Sequence, residues 1–175
     1  DHVLFARAYE AAGRGDWVGA RALAAQGSNP VARQLLEWDS ARTGNASFPE
    51  IDAVLKTNAG WPGRGILYAR AEQALPVDMG ESETIAWFGA RTPATSIGKV
   101  RLGEALIARG DAARDDAAKG RALIEAAWVG GSFDAATELA IVQKDGSLLT
   151  QADDKARLEN LLWRGETAAA PRELA

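Results

Sequence analysis

Between Ile97 and Val142 apolar residues recur at helical spacing in runs that each close on a glycine, and this stretch most restricts what the chain can become. It reads I-G-K-V-R-L-G-E-A-L-I-A-R-G-D and then K-G-R-A-L-I-E-A-A-W-V-G-G-S-F-D-A-A-T-E-L-A-I-V. Apolar positions three and four apart build one face of a helix, and glycine just past the run stops it. The pattern predicts three helices joined by short turns. The small residues along them let neighbouring helices approach closely, as in a helical repeat array.

The remainder follows the same grammar. A first helix over residues 2–12 turns Val3, Leu4, Ala6, Ala8, Tyr9 and Ala12 inward, and Asp16 caps a second running to Gln26. Ser28-Asn29-Pro30 opens a third helix, with Val31, Leu35, Leu36 and Trp38 on its face, and Thr43-Gly44-Asn45 closes it. Phe48-Pro49-Glu50 introduces a fourth. Pro62 then falls in the first turn of a fifth, which Pro76 stops, and residues 76–82 form a connection to a short helix around Trp87 and Phe88. A helix from Thr95 to Arg109 buries Val100, Leu102, Leu106 and Ile107. The charged text from Gly110 to Lys119 reads as a solvated turn or an extended first helical turn. Phe133, Ala136, Leu139 and Ala140 make a further stripe. Leu148-Leu149-Thr150-x-x-Asp153 is a staple and capping box above a helix burying Ala156, Leu158, Leu161, Leu162 and Trp163. An Ala-rich helix kinked at Pro171 ends the chain.

Nothing alternates as a strand should, so the expected class is all-α, with residues 1–175 forming a single domain. Gly15-Asp16-Trp17-x-x-Ala20 is similar to the turn between paired helices of tetratricopeptide-like arrays. That likeness implies an α-solenoid: a right-handed superhelix of antiparallel helix pairs.

The 20 basic and 24 acidic residues are interspersed and leave a net charge of -4. A protein that grips nucleic acid needs a concentrated basic footprint, so nucleic acid is not the expected partner. No apolar run reaches the ~20 residues of a membrane span. Cysteine is absent, which removes disulfides and thiolate chemistry. The chain opens on Asp1-His2 without an initiator Met, as a processed chain does once a signal peptide has been removed.

Catalytic text is sparse. His2, the sole histidine, lies at a fraying terminus, and without a second His or any Cys no metal or cofactor site is expected. Asp115-Asp116 and Asp153-Asp154 are adjacent pairs, which do not face each other on a helix. Gly63-Arg64-Gly65 follows no strand and fits neither phosphate-loop spacing, and Asn45-Ala46-Ser47 is only a formal glycosylation triplet. Glu72, Glu104, Glu125 and Glu138 interrupt apolar helical text; each is expected to face solvent or to pair with an Arg such as Arg70, Arg101 or Arg121. A carboxylate site at Glu72 or Glu104 is the enzymatic alternative. Six Trp, at Trp17, Trp38, Trp61, Trp87, Trp128 and Trp163, suit interhelical wedges. Trp61, in a turn before Pro62, is the one best placed to stack on a glycan or peptide.

Three blocks carry a family likeness: Leu55 with Gly60-Trp61-Pro62 and Arg70-Ala71-Glu72-x-x-Leu75; Trp87-Phe88 with Thr92-Pro93, Gly98, Arg101-Leu102-Gly103 and Gly110; and Ala127-Trp128 with Gly131, Phe133, Leu148-Leu149-Thr150, Arg157 and Leu161-Leu162-Trp163-x-Gly165. In order and spacing they resemble the superhelical, non-catalytic domain of the soluble lytic murein transglycosylases. The resemblance implies a periplasmic scaffold, itself inactive, belonging to a longer protein whose lysozyme-like domain lies outside this sequence. That whole enzyme would act as a lyase, cleaving the MurNAc-GlcNAc bond without water in cell-wall turnover. Its implied partners are peptidoglycan glycan strands, the protein's own catalytic domain and cell-wall proteins. Glu81-Ser82 matches the catalytic Glu-Ser pair only in letters, since no apolar helix carries it, and Asp154 stands where the family often has a histidine. Trp61, Arg70, Glu72 and Arg101 are the candidate ligand or interface positions within these blocks. The rival expectation is a stand-alone helical-repeat adaptor of the cell envelope that binds proteins or peptides.

Overall fold

The computed structural model describes residues 1–110 and 114–166, with Arg114 as backbone only. All regular structure among them is helical, without strands. Helices pack mainly on their neighbours in sequence, the pattern of a repeat array. No helix is long and apolar enough to cross a membrane among these residues. The chain divides into two compact units, Asp1–Pro76 and Val77–Ala175.

The first unit holds α1 (His2–Gly13), α2 (Trp17–Gln26), α3 (Pro30–Thr43), α4 (Phe48–Thr57) and α5 (Arg64–Gln73). Its boundaries are set locally. Asp16 accepts a bond from the Gly19 N–H, and Asn29 accepts from the N–H groups of Val31 and Ala32. Gly44 ends α3 at φ 83°, a left-handed conformation that costs glycine nothing. Ser47 and Glu50 form a capping box above α4 that the sequence reading passed over. Pro62 is not in the first turn of α5 as expected: Gly63, at φ 74°, is the cap, and Pro62 precedes it. The helix also ends at Gln73, ahead of Pro76.

Alanines Ala8, Ala11, Ala12, Ala20 and Ala24 pack with Phe5 and Leu36 into the core of this unit, so α1 and α2 meet with little between them. The inward face of α1 is rotated from the expected one, for Phe5 and Ala11 are buried while Val3 and Ala6 are exposed. Val31 and Leu35 of α3 are exposed too. An amphipathic stripe gives the period of a helix but leaves its phase to the neighbours.

The second unit holds α6 (Glu81–Phe88), α7 (Ser96–Ala108), α8 (Arg114–Gly130), α9 (Ala135–Asp145), a 3₁₀ turn at Gly146–Leu148 and α10 (Gln151–Trp163). Glu81 and Ser82 open α6 instead of lying in the connection. Thr95 caps α7, and Thr150 with Asp153 forms the expected box above α10. Val100, Ala127, Trp128 and Ile141 form one cluster of its core, with Phe133 and Leu149 packed on it. Leu161 is buried as expected, but Leu162 is exposed and Trp163 is 90% exposed. Leu139 is likewise exposed, and Ile141 takes the inward place on α9. The Ala-rich helix kinked at Pro171 and the middle of the 110–119 text lie outside the described residues.

Candidate functional site

Among the places where polar side chains gather, one in each unit borders a cleft. In the second unit Glu104 of α7 meets the end of α9. Lys144 Nζ lies 2.8 Å from Glu104 Oε2, and Arg101 Nη1 lies 3.7 Å from the same oxygen. Asp145, 5% exposed, has an Oδ2 without a hydrogen-bond partner. Its carboxyl is pushed up from 3.8 to about 6, first by burial and then by the charge and hydrogen bonding of Glu104, against the pull of Lys144. Two ionised carboxylates are both acceptors, so only a proton gives this pair a donor. The adjoining cleft, lined in part by Met79, Thr84, Arg101, Glu104 and Lys144, measures about 120 Å³. That is room for only about four waters.

This pair makes a signed prediction. A carboxyl whose folded pKa is raised binds its proton more tightly folded than unfolded, so its contribution to stability is full below about pH 4 and is lost as pH rises toward 6. Asp145→Asn supplies Glu104 with a permanent N–H donor and removes that loss. Its Tm relative to the unsubstituted protein is expected to rise between pH 4 and 7.5, measured by thermal melts at both. An unchanged Tm difference at the two pH values would contradict the raised Asp145 carboxyl.

In the first unit a groove of about 380 Å³ runs along α3 and α4. Arg33, Gln34, Glu37, Glu50 and Asn58 stand in its walls with Arg21. Arg21 Nε lies 3.0 Å from Glu37 Oε2, and one of its terminal nitrogens lies 3.4 Å from Glu50 Oε1 and donates to Ser40 Oγ at 2.8 Å. Bonds from the Ser47 hydroxyl and N–H hold the Glu50 carboxyl below its ordinary value, with Arg21 adding to them. Arg21 thus faces two carboxylates, and Arg33 adds a second cation to a wall that is otherwise mostly apolar.

No family model, curated protein or solved structure matches this chain.

Of the four expected ligand or interface positions, Trp61, Arg70 and Glu72 belong to the first unit and Arg101 to the second. Trp61 is half-buried, edge-on to Trp38 with ring centroids 6.2 Å apart, and Trp38 Nε1 donates to the Pro62 carbonyl. Its N–H donates to Asn58, which ties the turn to a residue of the groove wall. Arg70 lies against the α3 terminus at Gly44 and donates to Gln73. Glu72 is 1% exposed, so of the two expected placements, solvent or an Arg partner, the first does not hold. Arg101 belongs to the Glu104 cluster. Among the carboxylates, Glu104 pairs with Arg101 as foreseen, but Glu138 is buried and pairs with Arg157. Asp116 pairs with Arg109, and Asp154 accepts from Trp128 Nε1. Asp145 was missed because it closes a helix in charged text that looks solvated.

Arg157 holds three helices of the second unit together. Fully buried, it donates from Nη1 to the carbonyls of Trp128 and Gly131 at 2.7 and 3.0 Å, and from Nη2 to Glu138 Oε2 at 3.0 Å. Its guanidinium lies 4.2 Å from the Trp128 ring centre and 5.5 Å from that of Phe133. Two turns on, Arg164 donates to the Gly130 and Gly131 carbonyls. The last carbonyls of a helix have no partner within it. Here Arg157 of α10 and Arg164, just past its end, cap α8 and complement its dipole.

Proposed function

We propose that this chain is a non-catalytic helical scaffold of a periplasmic peptidoglycan lytic transglycosylase, arranged as a right-handed superhelix of helix pairs, which holds the glycan strand for a catalytic domain. The observation that carries the reading is the groove of the first unit, a mostly apolar wall edged by the polar side chains of Arg33, Gln34, Glu37, Glu50 and Asn58. Such a groove suits a sugar chain, whose ring faces are apolar and whose hydroxyls both give and take hydrogen bonds. The likeness of the three sequence blocks is its second support, and within the third block Trp128, Gly131, Phe133 and Arg157 join α8, α9 and α10. Glu72 is buried, and Glu104 is engaged by two cations.

The test is co-sedimentation with purified peptidoglycan sacculi, with analysis of the soluble sugar products. Retention by sacculi without release of anhydro-muropeptides is expected. Arg33→Ala with Gln34→Ala, both on the groove wall, is expected to weaken retention about tenfold through loss of two hydrogen-bonding side chains. Failure to sediment with sacculi would sink the glycan reading, and release of anhydro-muropeptides would sink the non-catalytic one.

A further inference from the structure

In the second unit a cavity of about 580 Å³ opens between the segment after α6 and the helices α7 and α8. Its floor is apolar: Ile85 at the end of α6, Leu102 and Leu106 of α7, and Leu123 of α8 line it. Volumes of roughly 300–1,000 Å³ with such a floor hold small organic ligands. The rim differs in character from the groove of the first unit, because the cations Arg91, Arg109 and Lys119 stand against a single carboxylate, Asp116.

These rim groups are not equivalent. The Arg91 guanidinium lies over the Trp87 ring, 4.4 Å from its centre, and donates to the Trp87 carbonyl. Arg109 is paired with Asp116. Lys119, one turn beyond Asp116 on α8, is exposed and carries a charge that neither contact neutralises. An ammonium over an apolar floor selects a ligand with one negative head and a hydrocarbon body. Asp116 disfavours a second negative charge beside the first.

We infer that this cavity binds a small amphipathic monocarboxylate, its hydrocarbon part on Leu102, Leu106 and Leu123 and its carboxylate at Lys119. The charge-assisted contact supplies orientation, and the apolar floor supplies burial. The site lies in the other unit from the glycan groove and stands or falls independently of it.

Three probes of equal length separate charge from hydrophobicity: octanoate, octanamide and octylammonium, titrated into the 175-residue chain and followed by amide shifts in two-dimensional NMR. Octanoate is expected to saturate with a Kd of about 1 mM, shifting Gly89, Leu106, Ala122 and Leu123. Octanamide should bind about tenfold more weakly for want of the ion contact, and octylammonium should not saturate. Lys119→Gln, at an exposed position, should erase the advantage of octanoate and leave octanamide unchanged. Ala122→Phe, on the exposed wall of the cavity, should block both. Equal affinity for octanoate and octanamide, shifts confined to other residues, or undiminished binding by Ala122→Phe would each overturn the inference.

Discussion

Arg157→Met is expected to destabilise the second unit by about 3–5 kcal/mol, the usual cost of removing one partner from a buried ion pair. The side chain of Glu138 is only 8% exposed, and the Arg157 guanidinium is its charge partner at 3.0 Å. Methionine fills much of the volume but carries no donor. The buried carboxylate then lacks its cation, and the Trp128 carbonyl at the end of α8 loses the Nη1 donor that capped it. Arg157→Lys keeps the charge but not the fork. One ammonium cannot reproduce the planar stack on Trp128 together with bonds in three directions, so a substantial part of the loss is expected to persist. Adding Glu138→Leu to Arg157→Met should recover part of the stability, because no charge then remains buried without its counterpart.

Native-state hydrogen exchange reads this unit directly, since amides of α8, α9 and α10 report their own opening free energy. A fall in protection common to all three helices is expected from Arg157→Met. A change under about 1 kcal/mol, or one confined to α10, would mean that the arginine does not join them. The coupling between positions 157 and 138, taken from the two single variants and the double, measures the pair itself.

What was legible in the sequence is what acts over one helical turn. Asp16, Asn29, Thr95 and Thr150 each bond to an N–H within three residues, so their identity and position suffice to place a helix start. Ser47 with Glu50 carried the same signal and was overlooked beside the more conspicuous Phe48-Pro49. Pro62 misled because a proline that can begin a helix can equally precede its cap. Direction was less legible than period. Leu158, Leu161, Leu162 and Trp163 fit one stripe, yet only Leu161 is fully buried, because a stripe at a helix end is covered only as far as its neighbours extend. The candidate sites depended on pairings far apart in the chain. Glu104 was marked as a possible carboxylate site, but its companion Asp145 comes from another helix, and no local pattern joins them. The groove of the first unit likewise draws Arg21 and Arg33 from α2 and α3 and Glu50 from α4, so its charge balance exists only after folding.

Gly103→Ala and Gly120→Ala are each expected to cost about 2 kcal/mol, although alanine is the better helix former by about 1 kcal/mol. The small residues of this stretch announced close helix approach, and these two glycines are where it occurs. A Cβ on Gly103 would lie 2.7 Å from the Gly120 carbonyl oxygen and 2.8 Å from Ile124 Cγ1. One on Gly120 would lie 2.6 Å from the Gly103 carbonyl oxygen and 2.8 Å from Ile107 Cγ1. An isoleucine can change rotamer, but a carbonyl inside a helix moves only with its helix. Either methyl group therefore drives α7 and α8 apart and loosens the packing around Ile124. Gly65→Ala is the control, since a Cβ there meets nothing within 4 Å, and it should be neutral or mildly stabilising. Hydrogen exchange in α7 and α8 checks the first two variants, and exchange in α5 checks the control. If the clash is between the two backbones, the first methyl opens the gap that the second needs, and the double variant must lose less than the sum of the single losses. Strict additivity would place each methyl in a separate contact and remove the reciprocal approach of the two glycines as the reason this helix pair packs as it does.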